Sequence, residues 1–461
     1  MTSPTLAEQN APKQRSFFAD VARTWSLAWP VFLMNLVVIG MSTVDVVMVG
    51  RAGTEELAYL GIGRVMFWLA IVICSGLFTG VTVFTANADG AGEREKAGDI
   101  FRQGIAYTAV LALFWTTVLL FAGEAVLRAL ALPEALVAEG GDYIRFTAIG
   151  LPLQLYIVCC FLWLEGISRP RPGLIVMLAT LPANAGLNWL LIYGNWGFPE
   201  MGASGAAIAT TLAQGSGAVL IYAYLRGMHD RELWGLAQLW PRDWRAAWRD
   251  GKALRHFGYA PGFATGMEFL GFNALNIMTG YLGVVVVSAY QVVFSLHAIS
   301  FAAAMGFASA TAVRVGNAMG RQDPAAVGFQ VRLSAGMTIL AMLPFTCAYL
   351  LAPEFFLSIF GAEPDVVVTS VMLLAIIAPF LIFDGLQYML VYALRAAGDQ
   401  VIASVLQVSS FLIVMGGGGA LFTFALGMGA PGIAWGMVAG MVCAALLLWP
   451  RFMLVQRRLS K

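Results

Sequence analysis

Three acidic residues stand inside long apolar runs: Asp45, Glu268 and Asp384. An ionisable group at the centre of a membrane span costs at least about 2.5 kcal/mol, so such groups point to function. No Lys or Arg in the same runs offers an obvious partner at similar depth. Three such carboxyls would be held neutral by a proton, or matched by a bound cation, for much of the time. That chemistry suits a coupling site for H+ or Na+. Neutral polar residues accompany them. Asn184 and Asn188 are four apart and share a helix face. Gln387 and Tyr388 follow Asp384 by three and four, and Gln291 and Ser295 share a further face, with His297 nearby as an expected packing residue. For each of these, ordinary interhelical hydrogen bonding is the plain alternative. A fourth acid, Glu165, is expected to pair with Arg169 at a helix end.

These residues need elements that can hold them in lipid. The chain has 461 residues, of which 59% are apolar and 11% charged. Soluble domains carry about 25% charged residues, so this chain lacks the polar surface that water requires. A spanning helix takes about 20 mostly apolar residues. Twelve such runs can be read, over 26–50, 58–85, 101–122, 143–167, 171–194, 203–226, 259–283, 287–313, 326–351, 366–394, 401–426 and 430–453. Barrel strands alternate over about 10 residues, and these runs are continuous and far longer. The fold class is therefore an all-α integral membrane protein with twelve spans. No cleavable signal peptide is evident at the polar N-terminus. The five cysteines all sit in apolar runs, and no disulfide is expected. Nothing in the composition suggests a nucleic-acid partner. With three histidines, two of them in the linker, and no nucleophile–base arrangement, an enzyme is not expected.

Of the 27 Lys and Arg, all but Arg51, Arg64, Arg128 and Arg145 fall on one side of the twelve-span topology. The positive-inside rule makes that side cytoplasmic and places both termini there. The expected organisation is a cytoplasmic tail 1–24, a first lobe 25–226, a basic, Trp-rich linker 227–257, a second lobe 258–453 and a tail 454–461. The linker interleaves Arg242, Arg245 and Arg249 with Trp240, Trp244 and Trp248, as expected of a segment lying on an anionic leaflet.

The halves resemble each other. Asn87-Ala88-Asp89-Gly90 matches Asn317-Ala318-Met319-Gly320 at a displacement of 230 residues. Ala148-Ile149-Gly150-Leu151-Pro152 matches Ala375-Ile376-Ile377-Ala378-Pro379, and Gly202-Ala203-Ser204-Gly205 matches Gly429-Ala430-Pro431-Gly432, both at 227. An even number of spans per half makes the repeat parallel, with the transport path between the halves. The polar sets are not duplicated: Asp45 aligns with Leu275, and Asn184 and Asn188 align with Val414 and Gly418. The run Gly416 to Gly419 is expected to serve close helix approach or a bend.

Together Val44-Asp45-Val46-Val47-Met48-Val49-Gly50, Pro182-Ala183-Asn184-Ala185-Gly186-Leu187-Asn188, Gly266-Met267-Glu268-Phe269, Ala289-Tyr290-Gln291 and Leu394-Arg395-Ala396-Ala397-Gly398-Asp399 resemble the multidrug and toxic compound extrusion (MATE) transporters, in their NorM-like branch. The resemblance runs from about residue 25 to 450. It implies two pseudo-symmetric six-helix bundles in a V-shaped fold and a cation-coupled antiporter of amphiphilic, often cationic, organic compounds. It implies a first-lobe cation site at Asp45, Asn184 and Asn188, and a second-lobe site, associated with Na+, at Glu268 and Asp384. Gln291, Ser295, Gln387, Tyr388 and Phe380 are candidate supporting or substrate residues. Phe380 stands where the family often has a Tyr, one turn before the helix-10 acid, which leaves Na+ and H+ both open. A lipid-linked oligosaccharide flippase of a related superfamily is the alternative. The expected setting is a bacterial-type inner membrane, as a monomer contacting lipids and small amphiphilic substrates, with no cofactor beyond the coupling ion.

Overall fold

The computed structural model describes residues 17–129, 133–361 and 363–461. Residues 1–16 of the expected N-terminal tail, with Lys13 and Arg15, lie outside the described residues. Twelve long helices organise the described chain: α1 Phe17–Ala52, α2 Thr54–Gly90, α3 Arg94–Ala129, α4 Glu134–Gly166, α5 Arg171–Ile192, α6 Gly202–Gly227, α7 Lys252–Gly280, α8 Val284–Gly320, α9 Pro324–Leu351, α10 Pro364–Ala396, α11 Gln400–Ala425 and α12 Ala430–Leu459. No strand occurs among the described residues. This is the only kind of open architecture that lipid allows, because each helix satisfies its own backbone.

Eleven of these helices are long and apolar enough to cross a membrane. The exception is α7, which is 29 residues long but opens on Lys252, Arg255 and His256 and carries Glu268. The helices overrun the apolar runs because their ends can be polar. Helix α1 begins at Phe17, so residues 17–24 are helix rather than tail. Helix α7 begins inside the segment expected as linker, and α12 continues to Leu459. Proline occupies the first turn of α5, α9, α10 and α12, where its missing N–H costs nothing.

Two helices depart from regular winding. Helix α10 tightens to a 3-10 turn at Ala378–Phe380, around Pro379. Helix α11 is π-wound over Ser409–Gly417 and again over Leu421–Ala425. Within the four-glycine run only Gly419 meets a neighbour closely. A Cβ on Gly436 of α12 would lie 2.4 Å from the Gly419 Cα, so the two backbones touch there. Gly417 has open space, so close approach does not explain the whole run.

Two large buried apolar clusters mark the two halves. One is drawn from α1–α6 with Trp234, Leu236 and Leu239 of the linker, and the other almost wholly from α7–α12. The halves meet through α1 against α8 and α2 against α7 and α8. The repeated Asn-Ala-x-Gly motifs face each other at this seam. Gly90 packs on the Asn317 backbone, and Gly320 packs reciprocally on the Asn87 backbone. Such reciprocity is what a two-fold axis between the halves produces. Polar contacts close the same end. Arg314 of α8 pairs with Asp20 of α1, Gln330 of α9 donates to Asp20 at 3.2 Å, and Ser309 of α8 donates to Glu165 of α4 at 2.5 Å. Asp20 and Arg314 are only 9% and 11% exposed. Breaking a buried pair leaves an uncompensated charge and costs roughly 3–5 kcal/mol. Asp20→Ala should therefore lower the thermal midpoint of the detergent-purified protein, and Asp20→Leu with Arg314→Met should restore most of the loss. An unchanged midpoint in Asp20→Ala would show that the pair holds nothing.

The linker caps one end of the first half. Arg102 of α3 donates to the carbonyls of Gly235 and Gln238 at 2.7 and 2.9 Å. Trp234 is buried, with the guanidinium groups of Arg94 and Arg169 over its ring. Trp240 stacks on Tyr156 of α4, and a short helix, Trp244–Asp250, leads into α7. Arg169 grips Asp230 with both nitrogens, at 2.9 and 2.6 Å. That guanidinium holds the Asp230 carboxyl down, to about 2. The depressed value means that the tie is fully present above the ordinary carboxylate range and is lost only as pH falls through about 2. Glu165 therefore does not pair with Arg169. The backbone turns left-handed at Ser168, with φ 63°, and sends Arg169 to the linker while Glu165 stays buried.

Candidate functional site

In the first half, three helices bring Asp45, Asn184 and Asn188 together. Helix α1 packs against α5 and α6. Asn184 and Asn188, one turn apart on α5, are both fully buried. Asn188 Nδ2 donates to Asp45 Oδ1 at 2.6 Å and contacts Asn184 Oδ1 at 3.3 Å. Asn184 Nδ2 donates to Thr210 Oγ1 at 3.2 Å, and Thr210 Oγ1 donates to Asp45 Oδ2 at 3.3 Å. Thr210 of α6 was not foreseen. A threonine in an apolar run carries no sequence-level cost that would single it out. No cationic side chain bonds to Asp45 among the described residues. Its charge rests on neutral donors.

In the second half, Glu268 lies midway along α7 and Asp384 midway along α10. Asp384 is bracketed by His297 Nε2 of α8 at 3.0 Å and Gln387 Nε2 at 3.3 Å. Glu268 Oε2 accepts from Gln407 Nε2 of α11 at 2.7 Å. Gln407 Oε1 in turn accepts from Arg395 Nη2 at 2.8 Å. The carboxyls of Glu268 and Asp384 are near enough to act on each other's charge. Glu268 Oε1 and Gln387 Oε1 are buried acceptors without a hydrogen-bond partner among the described residues. Among the described residues, no three or more His, Cys, Asp or Glu side chains are placed to hold a metal ion. A Na+ here would have to draw on amide or hydroxyl oxygens as well. A proton needs only the carboxylates.

Two expectations change. His297 is a direct partner of Asp384 rather than a packing residue. Arg395 supplies a buried charge that the apolar runs were expected to lack, because it enters from the end of α10 with its side chain fully enclosed. Of the supporting candidates, Gln387 joins the Asp384 group. Tyr388 packs on Phe301, with ring centroids 4.7 Å apart, and faces Tyr392. Phe380 packs between Phe383 and Trp435. Gln291 and Ser295 stand apart from both acids: Gln291 Nε2 donates to Asn276 of α7 at 2.9 Å, and Ser295 bonds the Gln291 carbonyl.

A model of the MatE family matches residues 30–190 and 262–418, once in each half of the chain. The chain belongs to the MatE family. The two matches are displaced by about 230 residues, in agreement with the internal repeat. Curated MatE-type relatives match over nearly the full length. A "Probable multidrug resistance protein NorM" of Caulobacter vibrioides is 30% identical over 95% of this chain and 92% of that protein. One of the same name from Bradyrhizobium diazoefficiens is 29% identical over 98% and 97%. The crystal structure of the eukaryotic MATE transporter AtDTX14 superposes with a TM-score of 0.86 at 18% identity, covering 96% of this chain and 98% of that one. An outward-facing multidrug resistance MATE family transporter of the MOP superfamily gives 0.85 at 19% identity, covering 96% of each. The fold is that of a multi-pass MATE membrane transporter.

Proposed function

We propose that this MatE-family chain is a cation-coupled antiporter, not an enzyme, that expels amphiphilic and often cationic organic compounds from the cytoplasm. The observation that carries the reading is the charge balance within the spans. Asp45, Glu268 and Asp384 are carboxyl groups enclosed by apolar helices, and among the described residues Arg395 alone is tied to one of them, Glu268, through a bridging side chain. Uncompensated charge in such surroundings demands a proton or a small cation. The names of the NorM relatives support efflux of drugs. The asymmetry of basic residues supports a bacterial-type inner membrane with the linker and both termini in the cytoplasm.

The lobes 25–226 and 258–453 would move as bodies about their seam. The contacts of Asp20, Arg314, Glu165 and Ser309 then represent a cytoplasm-closed arrangement. Cation binding neutralises the acids and favours one arrangement, and substrate favours the other. A ligand shifts such an equilibrium only by its differential affinity, and reversing a 1:99 population takes about 5.5 kcal/mol. Substrate and cation therefore need not share a site. The protein would work as a monomer surrounded by lipid, with no cofactor beyond the coupling ion. Cells stripped of their own pumps and expressing this chain should accumulate less ethidium than vector controls. Ionophores that discharge both the Na+ and proton gradients should erase the difference. Efflux that survives both would sink the proposal.

A further inference from the structure

We propose that Arg395 is a positioning residue of the coupling reaction: a fixed internal cation that holds Glu268 through Gln407 and competes with the coupling ion for that carboxylate. The inference rests on the antiport reading above and deepens it.

The relay is linear. Arg395 Nη2 donates to Gln407 Oε1, and Gln407 Nε2 donates to Glu268 Oε2, at 2.8 and 2.7 Å. The amide can serve both neighbours in one orientation only, oxygen toward the guanidinium and nitrogen toward the carboxylate. Three side chains from α10, α11 and α7 are thereby oriented as one unit. Among the described residues, Arg395 makes no direct ion pair, and its Nε and Nη1 have no hydrogen-bond partner, although the side chain is fully buried over the Tyr392 ring. Glu268 likewise keeps Oε1 unpartnered. Two opposite charges thus share a desolvated core but are held one amide apart.

That spacing has a consequence. A direct buried pair is costly to break, more so than a weakly held monovalent ion readily offsets. No counter-charge at all would leave a carboxylate that binds a cation and does not release it. An intermediate hold makes the exchange reversible. The charge count agrees. Among the described residues, the charged and titratable groups about Glu268 are Asp384, Tyr388, Tyr392 and Arg395 of α10, with His297 of α8 one step removed on Asp384 and Glu165 of α4 one step removed on Tyr392. When both carboxyls, Glu268 and Asp384, are ionised, their charge exceeds that of the single guanidinium by one, which one Na+ or one proton makes up.

The test is cation-driven ethidium transport in proteoliposomes, as a function of Na+ and separately of proton concentration, for the wild type, Arg395→Gln, Arg395→Lys and Gln407→Met. Arg395→Gln should lower the half-saturating cation concentration about tenfold or more and also lower the maximal rate, because release slows. Arg395→Lys should return the half-saturation toward wild type, since the charge is restored even though the fork is not. Gln407→Met should move half-saturation in the same direction as Arg395→Gln, and it carries the test alone if Arg395→Gln does not assemble. Half-saturation within twofold of wild type in the assembled variants, with only the rate or thermal midpoint reduced, would overturn the inference and leave Arg395 a purely structural tie. If the wild type itself shows no cation-driven transport, the antiport reading fails instead. Calorimetric Na+ and proton binding to the purified variants then still decides whether Arg395 weakens cation binding.

Discussion

Asp45→Asn is expected to abolish cation-driven efflux while the protein still inserts and folds. The substitution keeps the shape of the side chain and removes its charge. It also replaces one acceptor oxygen by an N–H. In the native arrangement, Asp45 Oδ1 and Oδ2 accept from Asn188 and Thr210 at 2.6 and 3.3 Å. Hydrogen bonds to a charged group contribute about 1.5–3 kcal/mol each. Each 1.4 kcal/mol is a factor of ten, so losing the ionisable partner should weaken any cation-linked state by about a hundredfold or more. The thermal midpoint should move little, because an asparagine can still present one oxygen to Asn188. Ethidium efflux in cells and in proteoliposomes, compared at equal membrane expression, checks the outcome. Asn188→Ala should give a weaker version of the same defect, since it removes a donor and leaves the carboxylate.

Glu268→Gln and Asp384→Asn should each remove cation dependence as well, and combining them should cost little more than either alone. Residues that act as a unit are strongly non-additive. Here the unit is physical: the two carboxyls act on each other's charge, and Arg395, Gln407, His297 and Gln387 join them in one cluster across α7, α8, α10 and α11. Glu268→Gln can rotate its amide so that the oxygen still faces Gln407, which preserves the packing of α7 on α11. The defect should therefore appear in transport and in cation binding rather than in assembly. Roughly additive losses would mean that the two acids do separate jobs. Retained cation-driven efflux in both single variants would remove the second-half site from the mechanism.

Much of this was legible before any coordinates. Backbone groups cannot go unpaired in lipid, so a continuous apolar run dictates a helix, and the order of twelve helices follows directly. The acids stood out because burying them is costly, and the α5 asparagines because a spacing of four puts them on one face. What stayed hidden has equally physical causes. Arg395 lies at the end of a span, where a basic residue ordinarily reaches water, and only the packing of α10 against α11 turns it inward. Glu165 stands four residues before Arg169, which suggested a pair, but a single left-handed residue at Ser168 separated them. His297 looked like packing because its partner is 87 positions away in the chain. The π-winding of α11 has no periodic signature in a run of glycines and aliphatics. The linker aromatics suggested a membrane surface, yet Trp234 is buried against the first half. Trp240, Trp244 and Trp248 remain exposed further along the same segment.

The central claim is that buried carboxylates in both halves couple an inward cation gradient to outward movement of an organic compound. It is tested most directly by purified protein in proteoliposomes, with a Na+ gradient and a pH gradient imposed separately and ethidium movement followed by fluorescence. At least one of the two gradients should drive ethidium against its own gradient in the wild type, and neither should do so in Asp45→Asn. Ethidium movement that ignores both gradients, or that is undiminished in Asp45→Asn, would contradict the account.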